Sequence, residues 1–138
     1  MRQAERQFVQ ATDGRGFYEL TRAIAGWVGE AGMTTGLLTL LCRHTSAGLL
    51  ITENAAPAVR RDLDRWLDRL APEGEGYEHD DEGPDDMPAH LRSVLTGVSL
   101  SIPVTGGRMA LGTWQGVFLA EFRALPHRRT VAAHIIGA

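Results

Sequence analysis

From Val98 to the end the chain alternates short apolar and polar stretches with no helical period, broken by glycine-bearing turns. Val98–Val104 alternates, Thr105-Gly106-Gly107 carries a hairpin turn signal, and Arg108–Leu111 returns. Val117–Phe122 and Thr130–Ile136 supply two more strands. The last third of the chain is thereby read as strands, segregated from the helices that precede it.

Those earlier segments read as helices and a few strands. Met1–Thr12 is a polar edge strand, and Asp13-Gly14-Arg15-Gly16 is a turn. Between Phe17 and Ala31, Leu20, Ile24, Trp27 and Val28 recur at helical spacing, with Gly32 closing the helix. Leu37–Cys42 is a buried strand by length and flanks, and Gly48–Thr52 is a second. Pro57 opens a helix with a stripe of Val59, Leu63, Trp66, Leu67 and Leu70, which Pro72 ends. Met87–Thr96 is a shorter helix with Pro88 in its first turn and Leu91, Val94 and Leu95 facing inward. Helices early and midway, with strands gathered late, predict an α+β fold: a single domain over 1–138, with a mainly antiparallel, sandwich-like sheet and two to three helices.

Charge is unevenly placed. Eight of the 17 acids lie between Glu73 and Asp86, and none of the 14 bases does. Every base is arginine, which excludes a Schiff-base lysine and a lysine-bearing phosphate loop. A sequence pI near 5.9 argues against a nucleic-acid partner. The longest strongly apolar stretches, Gly36–Cys42 and Ala47–Ile51, are far too short to span a membrane. The lone Cys42 excludes an internal disulfide and every multi-cysteine metal site, and the polar first 16 residues lack the apolar segment of a secretory signal. A cytoplasmic location is expected.

Most catalytic signatures are missing. Gly14-x-Gly16 has Glu19 where a dinucleotide fingerprint needs its third glycine, and Asp80-Asp81-Glu82-Gly83-Pro84 lacks the alternating spacing of a calcium loop. Three features carry chemistry. His44-Thr45-Ser46-Ala47-Gly48, at a strand exit, can hold an anion or act through its imidazole, or can be a junction whose hydroxyls satisfy their own backbone. Glu53 and Asn54 downstream can equally cap the next helix. His79 and His90 flank the acidic run and can bind a divalent metal, or be ordinary exposed histidines. Glu121 lies in an apolar strand after Gly112-Thr113-Trp114-Gln115-Gly116; either Arg123, on the same face, or a neighbouring strand pairs with it, or it is a tuned acid–base or metal ligand.

Taken with Tyr77-Glu78-His79, Glu82-Gly83-Pro84-Asp85-Asp86-Met87-Pro88-Ala89-His90 and Ile102-Pro103-Val104, these motifs resemble the YjbQ-like family, from about Phe17 to Gly137. Its members are often named secondary thiamine-phosphate synthase enzymes. The resemblance implies a compact α+β homotrimer with the site near a subunit interface, and a cluster of His44, His79, His90 and Glu121. In that reading His44, His79 and His90 hold a divalent metal, zinc or else magnesium, and His44, Glu121, Asn54 and Asp86 are catalytic. Thr45, Ser46, Trp114, Gln115 and Arg123 then bind a phosphorylated small molecule, with Trp114 stacking on a pyrimidine and Arg60, Arg108 or Arg123 neutralising phosphate. The family name implies joining a hydroxymethylpyrimidine diphosphate to a thiazole phosphate with loss of pyrophosphate, as a side activity. The alternatives are a metal-dependent phosphoester hydrolase and a non-enzymatic trimeric metal- or anion-binding module. Glycine at position 48 is expected to be ordinary variation.

Overall fold

The alternation of the late strands is realised as two packed antiparallel sheets. A computed structural model describes residues 1–138 as β1 (Arg2–Thr12), β2 (Gly16–Glu19), α1 (Thr21–Ala31), β3 (Thr35–Cys42), β4 (Ala47–Glu53), α2 (Pro57–Leu70), α3 (Asp86–Thr96), β5 (Ser99–Thr105), β6 (Arg108–Met109), β7 (Gln115–Glu121) and β8 (His127–Gly137). One sheet has the order β1-β8-β3-β5-β6, and the other β2-β7-β4. Every pairing is antiparallel. This is the expected α+β architecture, with three helices.

Period-two burial sets the core. In β3, Leu38, Leu40 and Cys42 are buried, while Leu37 and Leu41 lie on the opposite face and remain more than 40% exposed. Ile102, Val104, Val131 and Ile135 join the same core from β5 and β8, and Ile24, Trp27 and Val28 of α1 close over it. A smaller cluster of Leu67, Ala89, Ala120 and Phe122 seats α2 and α3 against β7. No helix is long and apolar enough to cross a membrane.

Local expectations fail in two places. Phe17–Glu19 continues the helical spacing in sequence but forms β2, because Phe17 and Tyr18 pair with Ala120 and Leu119 and the helix begins only at Thr21. Ladder pairing overrides spacing there. In α3, Val94 and Leu95 point outward, 83% and 54% exposed, and the buried face is Asp86, Ala89, Arg92 and Ser93. Arg92 is admitted because its guanidinium donates to Asp68 Oδ1 and to the Ala71 carbonyl at the end of α2, both at 2.9 Å.

α3 rests on the start of β4. The Ser93 hydroxyl donates to the Ala47 carbonyl at 2.7 Å, and the Leu49 amide donates to the Gly97 carbonyl at 3.1 Å. Between these bonds a side chain at Gly48 would run into Thr96 Oγ1 and lie 2.6 Å from the Gly97 carbonyl oxygen. Glycine at position 48 is therefore a packing requirement and not ordinary variation. Gly48→Ala should lower unfolding stability by about 1–3 kcal/mol, as overpacking does, measured by urea titration. An unchanged midpoint would show that α3 yields freely.

Candidate functional site

The first turn of α3 places Asp86 and His90 four residues apart on one helical face. The acidic loop returns His79 to the same point. His79 Nε2 lies 2.8 Å from Asp86 Oδ2, and His90 Nε2 lies 3.1 Å from the same oxygen. The other carboxylate oxygen is held from behind: Arg123 Nη1 donates to Asp86 Oδ1 at 2.7 Å. The same guanidinium donates to Asp85 Oδ2 at 3.0 Å and to the Glu82 carbonyl at 2.9 Å, so a single arginine clamps the end of the loop. Burial pushes the Asp86 carboxyl up, but the His79 hydrogen bond and the charges of His90 and Arg123 outweigh it and hold the group below its ordinary range. The Asp86 hydrogen bond, aided by Asp81 and Glu82, holds the His79 imidazole above its usual value.

The tautomer of His90 tests whether this cluster suits a cation. Its Nδ1 is 2.8 Å from the Thr45 carbonyl, which only accepts, so Nδ1 carries the hydrogen. In the neutral ring, Nε2 then presents a lone pair to Asp86 Oδ2. Two lone pairs at that distance repel unless a proton or a metal ion lies between them. A ring fixed from behind by a carbonyl, with its other nitrogen turned inward, is the usual support of a metal-ligating histidine. The ligand atoms of His79, Asp86 and His90 lie within 4.8 Å of one another, so the donor set fits one divalent cation.

His44 does not join this set, which corrects the expectation of three imidazoles. Its Nε2 accepts the Thr130 amide at 2.7 Å, which occupies the lone pair a metal would need. Glu121 is also elsewhere in role. It is fully buried; Arg129 grips both oxygens, at 2.8 and 2.6 Å, Thr12 donates at 2.7 Å, and the Phe122 and Arg123 amides donate at 3.0 and 3.2 Å. Burial raises its pKa, yet the Arg129 and Thr12 hydrogen bonds hold it below the ordinary value. The partner is Arg129, and Arg123 serves the loop instead. Ser46 also belongs to this buried group, its hydroxyl accepting from Arg129 at 3.0 Å.

The remaining expected residues divide between the two ends of one sheet. Ala47 pairs with Glu121 at the histidine end, whereas Glu53 pairs with Gln115 at the other. About 20 Å of strand separates them. Asn54 bonds Glu19 Oε2 at 3.0 Å and its amide donates to the Trp114 carbonyl; Gln115 Oε1 accepts the Gly112 amide at 2.7 Å; Trp114 is 63% exposed. Within one chain, Asn54, Trp114 and Gln115 therefore do not meet the histidines, and Arg123 is committed to carboxylates rather than phosphate. Asp86 as a candidate ligand was missed by sequence reasoning, although its four-residue spacing from His90 on a helix was there to be used.

The sequence profile described as UPF0047 protein YjbQ-like matches residues 5–138, and the chain belongs to that family. It is 49% identical to the UPF0047 protein sll1880 of a Synechocystis strain over 137 residues, covering 99% of this chain and 93% of that one. A crystal structure of a YjbQ/UPF0047 protein from Clostridium acetobutylicum superposes with a TM-score of 0.87 at 34% identity, covering 94% and 98% of the two chains. A YbjQ-like protein of Sulfolobus solfataricus, described as of unknown function, shares the fold at a TM-score of 0.87 and 18% identity, covering 99% and 100%. These findings correct the expected assignment to a transferase of thiamine biosynthesis: the relatives carry only the UPF0047 family name, and membership brings the fold with no reaction attached to it.

Glu121→Gln should cost about 3–5 kcal/mol in unfolding free energy, since it leaves the buried Arg129 charge uncompensated. Because the folded pKa of Glu121 is depressed, its contribution is fully present above the ordinary carboxylate value and is lost as pH falls through the lower folded one. Chemical unfolding at stepped acid pH should show wild type losing more stability than Glu121→Gln. Parallel curves would contradict the assignment.

Proposed function

We propose that this YjbQ-like chain is a small metal-dependent hydrolase of a phosphorylated small molecule, centred on His79, Asp86 and His90. The convergence of both imidazole Nε2 atoms on one Asp86 oxygen carries the reading. Two ring nitrogens and one carboxylate, with coordination left over, make up the donor set of many hydrolytic zinc sites. A bound zinc ion would supply Lewis acidity toward an ester oxygen and toward water. The chain's own residues position and tune. Arg123 fixes Asp86 Oδ1 and so aims Oδ2 at the histidines, while the Thr45 carbonyl fixes the His90 ring. Asp81 and Glu82 flank His79, with Glu82 Oε2 at 3.1 Å from its Nε2.

Wild type should bind about one zinc per chain, more weakly as pH falls toward the imidazole range near 6.5, because protons compete for the ring nitrogens. His79→Ala, Asp86→Asn and His90→Ala should each weaken binding by more than the roughly tenfold to 100-fold that loss of an outer-shell partner costs, in competition with a chromogenic chelator. His44→Ala and His127→Ala should not. Zinc-loaded wild type should release inorganic phosphate from a panel of phosphate monoesters, and Asp86→Asn should not. Zinc binding without turnover would favour the non-enzymatic module.

Assembly as a homotrimer in a reducing, cytoplasmic setting belongs to the same proposal. Leu37, Leu41 and Ile136 lie exposed together on the outer face of the larger sheet, where Leu37 pairs with Ile136, and the one cysteine, Cys42, is free and buried. A stable contact would bury about 800 Å² per partner. Sedimentation should show a species of three chains, converted to smaller ones by Leu41→Glu. A 15 kDa species at every concentration would rule the trimer out.

A further inference from the structure

Beside the histidine cluster is a cavity of about 360 Å³, lined by His44, Thr45, His90, Ser93, Val94 and Gly97. Its volume suits a small ligand. No lining side chain is acidic, although the loop on the other side of His90 is crowded with carboxylates. The cavity's polar groups are largely committed to the protein. The Ser93 hydroxyl donates to the Ala47 carbonyl, and His90 Nδ1 donates to the Thr45 carbonyl. Two side-chain groups of the lining have no hydrogen-bond partner in the chain and open to the cavity and solvent: His44 Nδ1 and the hydroxyl of the exposed Thr45.

The hydrogen on His44 follows from its other nitrogen. The Thr130 amide can only donate, so Nε2 must accept, and a neutral ring then carries its proton on Nδ1. We propose that His44 is a neutral hydrogen-bond donor which, with the Thr45 hydroxyl, holds a phosphate oxyanion in this cavity next to the cation-binding cluster. Burial, and then the nearby Arg129 guanidinium, holds the His44 imidazole below its usual pKa, which keeps the ring uncharged at neutral pH. A donor of fixed tautomer discriminates for an acceptor-only group, and hydrogen bonds to an ionised oxygen are the stronger kind. The inference rests on the hydrolase reading for the neighbouring cation and adds the residue that selects the phosphate.

Two measurements test it. Long-range proton–nitrogen correlation spectra of the metal-free wild type at neutral pH should show His44 as the Nδ1–H tautomer. An Nε2–H ring would overturn the proposal. In calorimetric titrations of zinc-loaded protein with inorganic phosphate, His44→Ala should weaken phosphate binding about tenfold or more, with zinc affinity unchanged. Thr45→Val, which leaves the His44 ring and its Thr130 bond in place, should weaken phosphate several-fold. Phosphate binding at wild-type strength in both variants would overturn the assignment, as would loss of zinc together with phosphate in His44→Ala. If wild type takes up no zinc but still binds phosphate through His44 and Thr45, the donor role stands and the cation reading fails.

Discussion

The fully buried pair of Glu121 and Arg129 joins the two sheets, and the arrangement of the site follows from it. Glu121 ends β7 in the smaller sheet, while Arg129 and Thr12 come from β8 and β1 in the larger. Ser46, just ahead of β4, is held by the same guanidinium through its hydroxyl and carbonyl. A buried ion pair is tolerable only when its remaining hydrogen-bonding capacity is filled, and the Phe122 and Arg123 amides complete the set on the carboxylate. With the strand ends locked together, Thr45 is positioned to receive His90, and Thr130 to receive His44.

Arg123 exploits that anchorage. Its amide is tied to Glu121, so its side chain reaches into the acidic loop from a fixed base. Seven carboxylates in the loop and Asp86 at the start of α3 repel one another, and one guanidinium on Asp85, Asp86 and the Glu82 carbonyl offsets that where the loop enters α3. The planar guanidinium fork grips two carboxylates and a carbonyl along fixed directions, one nitrogen to each.

How much of this was legible depended on whether a property is local. β5 and β8 were readable because pleating buries alternate residues, and β7, buried on both faces, as a short continuous apolar run. Gly32 was readable as a helix end because its positive φ is a property of one residue. Phe17–Glu19 was not, since only pairing with β7 distinguishes it from the helix that follows. The bearings of Val94 and Leu95 were lost for a related reason: α3 is steered by the absent side chain at Gly48 and by Arg92, which reaches across to α2. At the site, His79 and His90 could be found by type and spacing. The partner of Glu121 depended on how the chain turns between β7 and β8, and the donor to His44 is a backbone amide, which residue identities do not reveal.

The Arg123 clamp also changes when the loop becomes ordered. About 15 residues separate the end of α2 from Asp86, and closing a chain of that length onto itself has an entropic cost of several RT. Were the loop free, each cation would have to gather it before binding, and the measured affinity would be lower by that amount. With Arg123 in place the gathering occurs during folding, when Asp85 and Asp86 dock. A cation bound there as proposed would therefore meet ligands already assembled, and its affinity would reflect coordination rather than the search for a loop conformation.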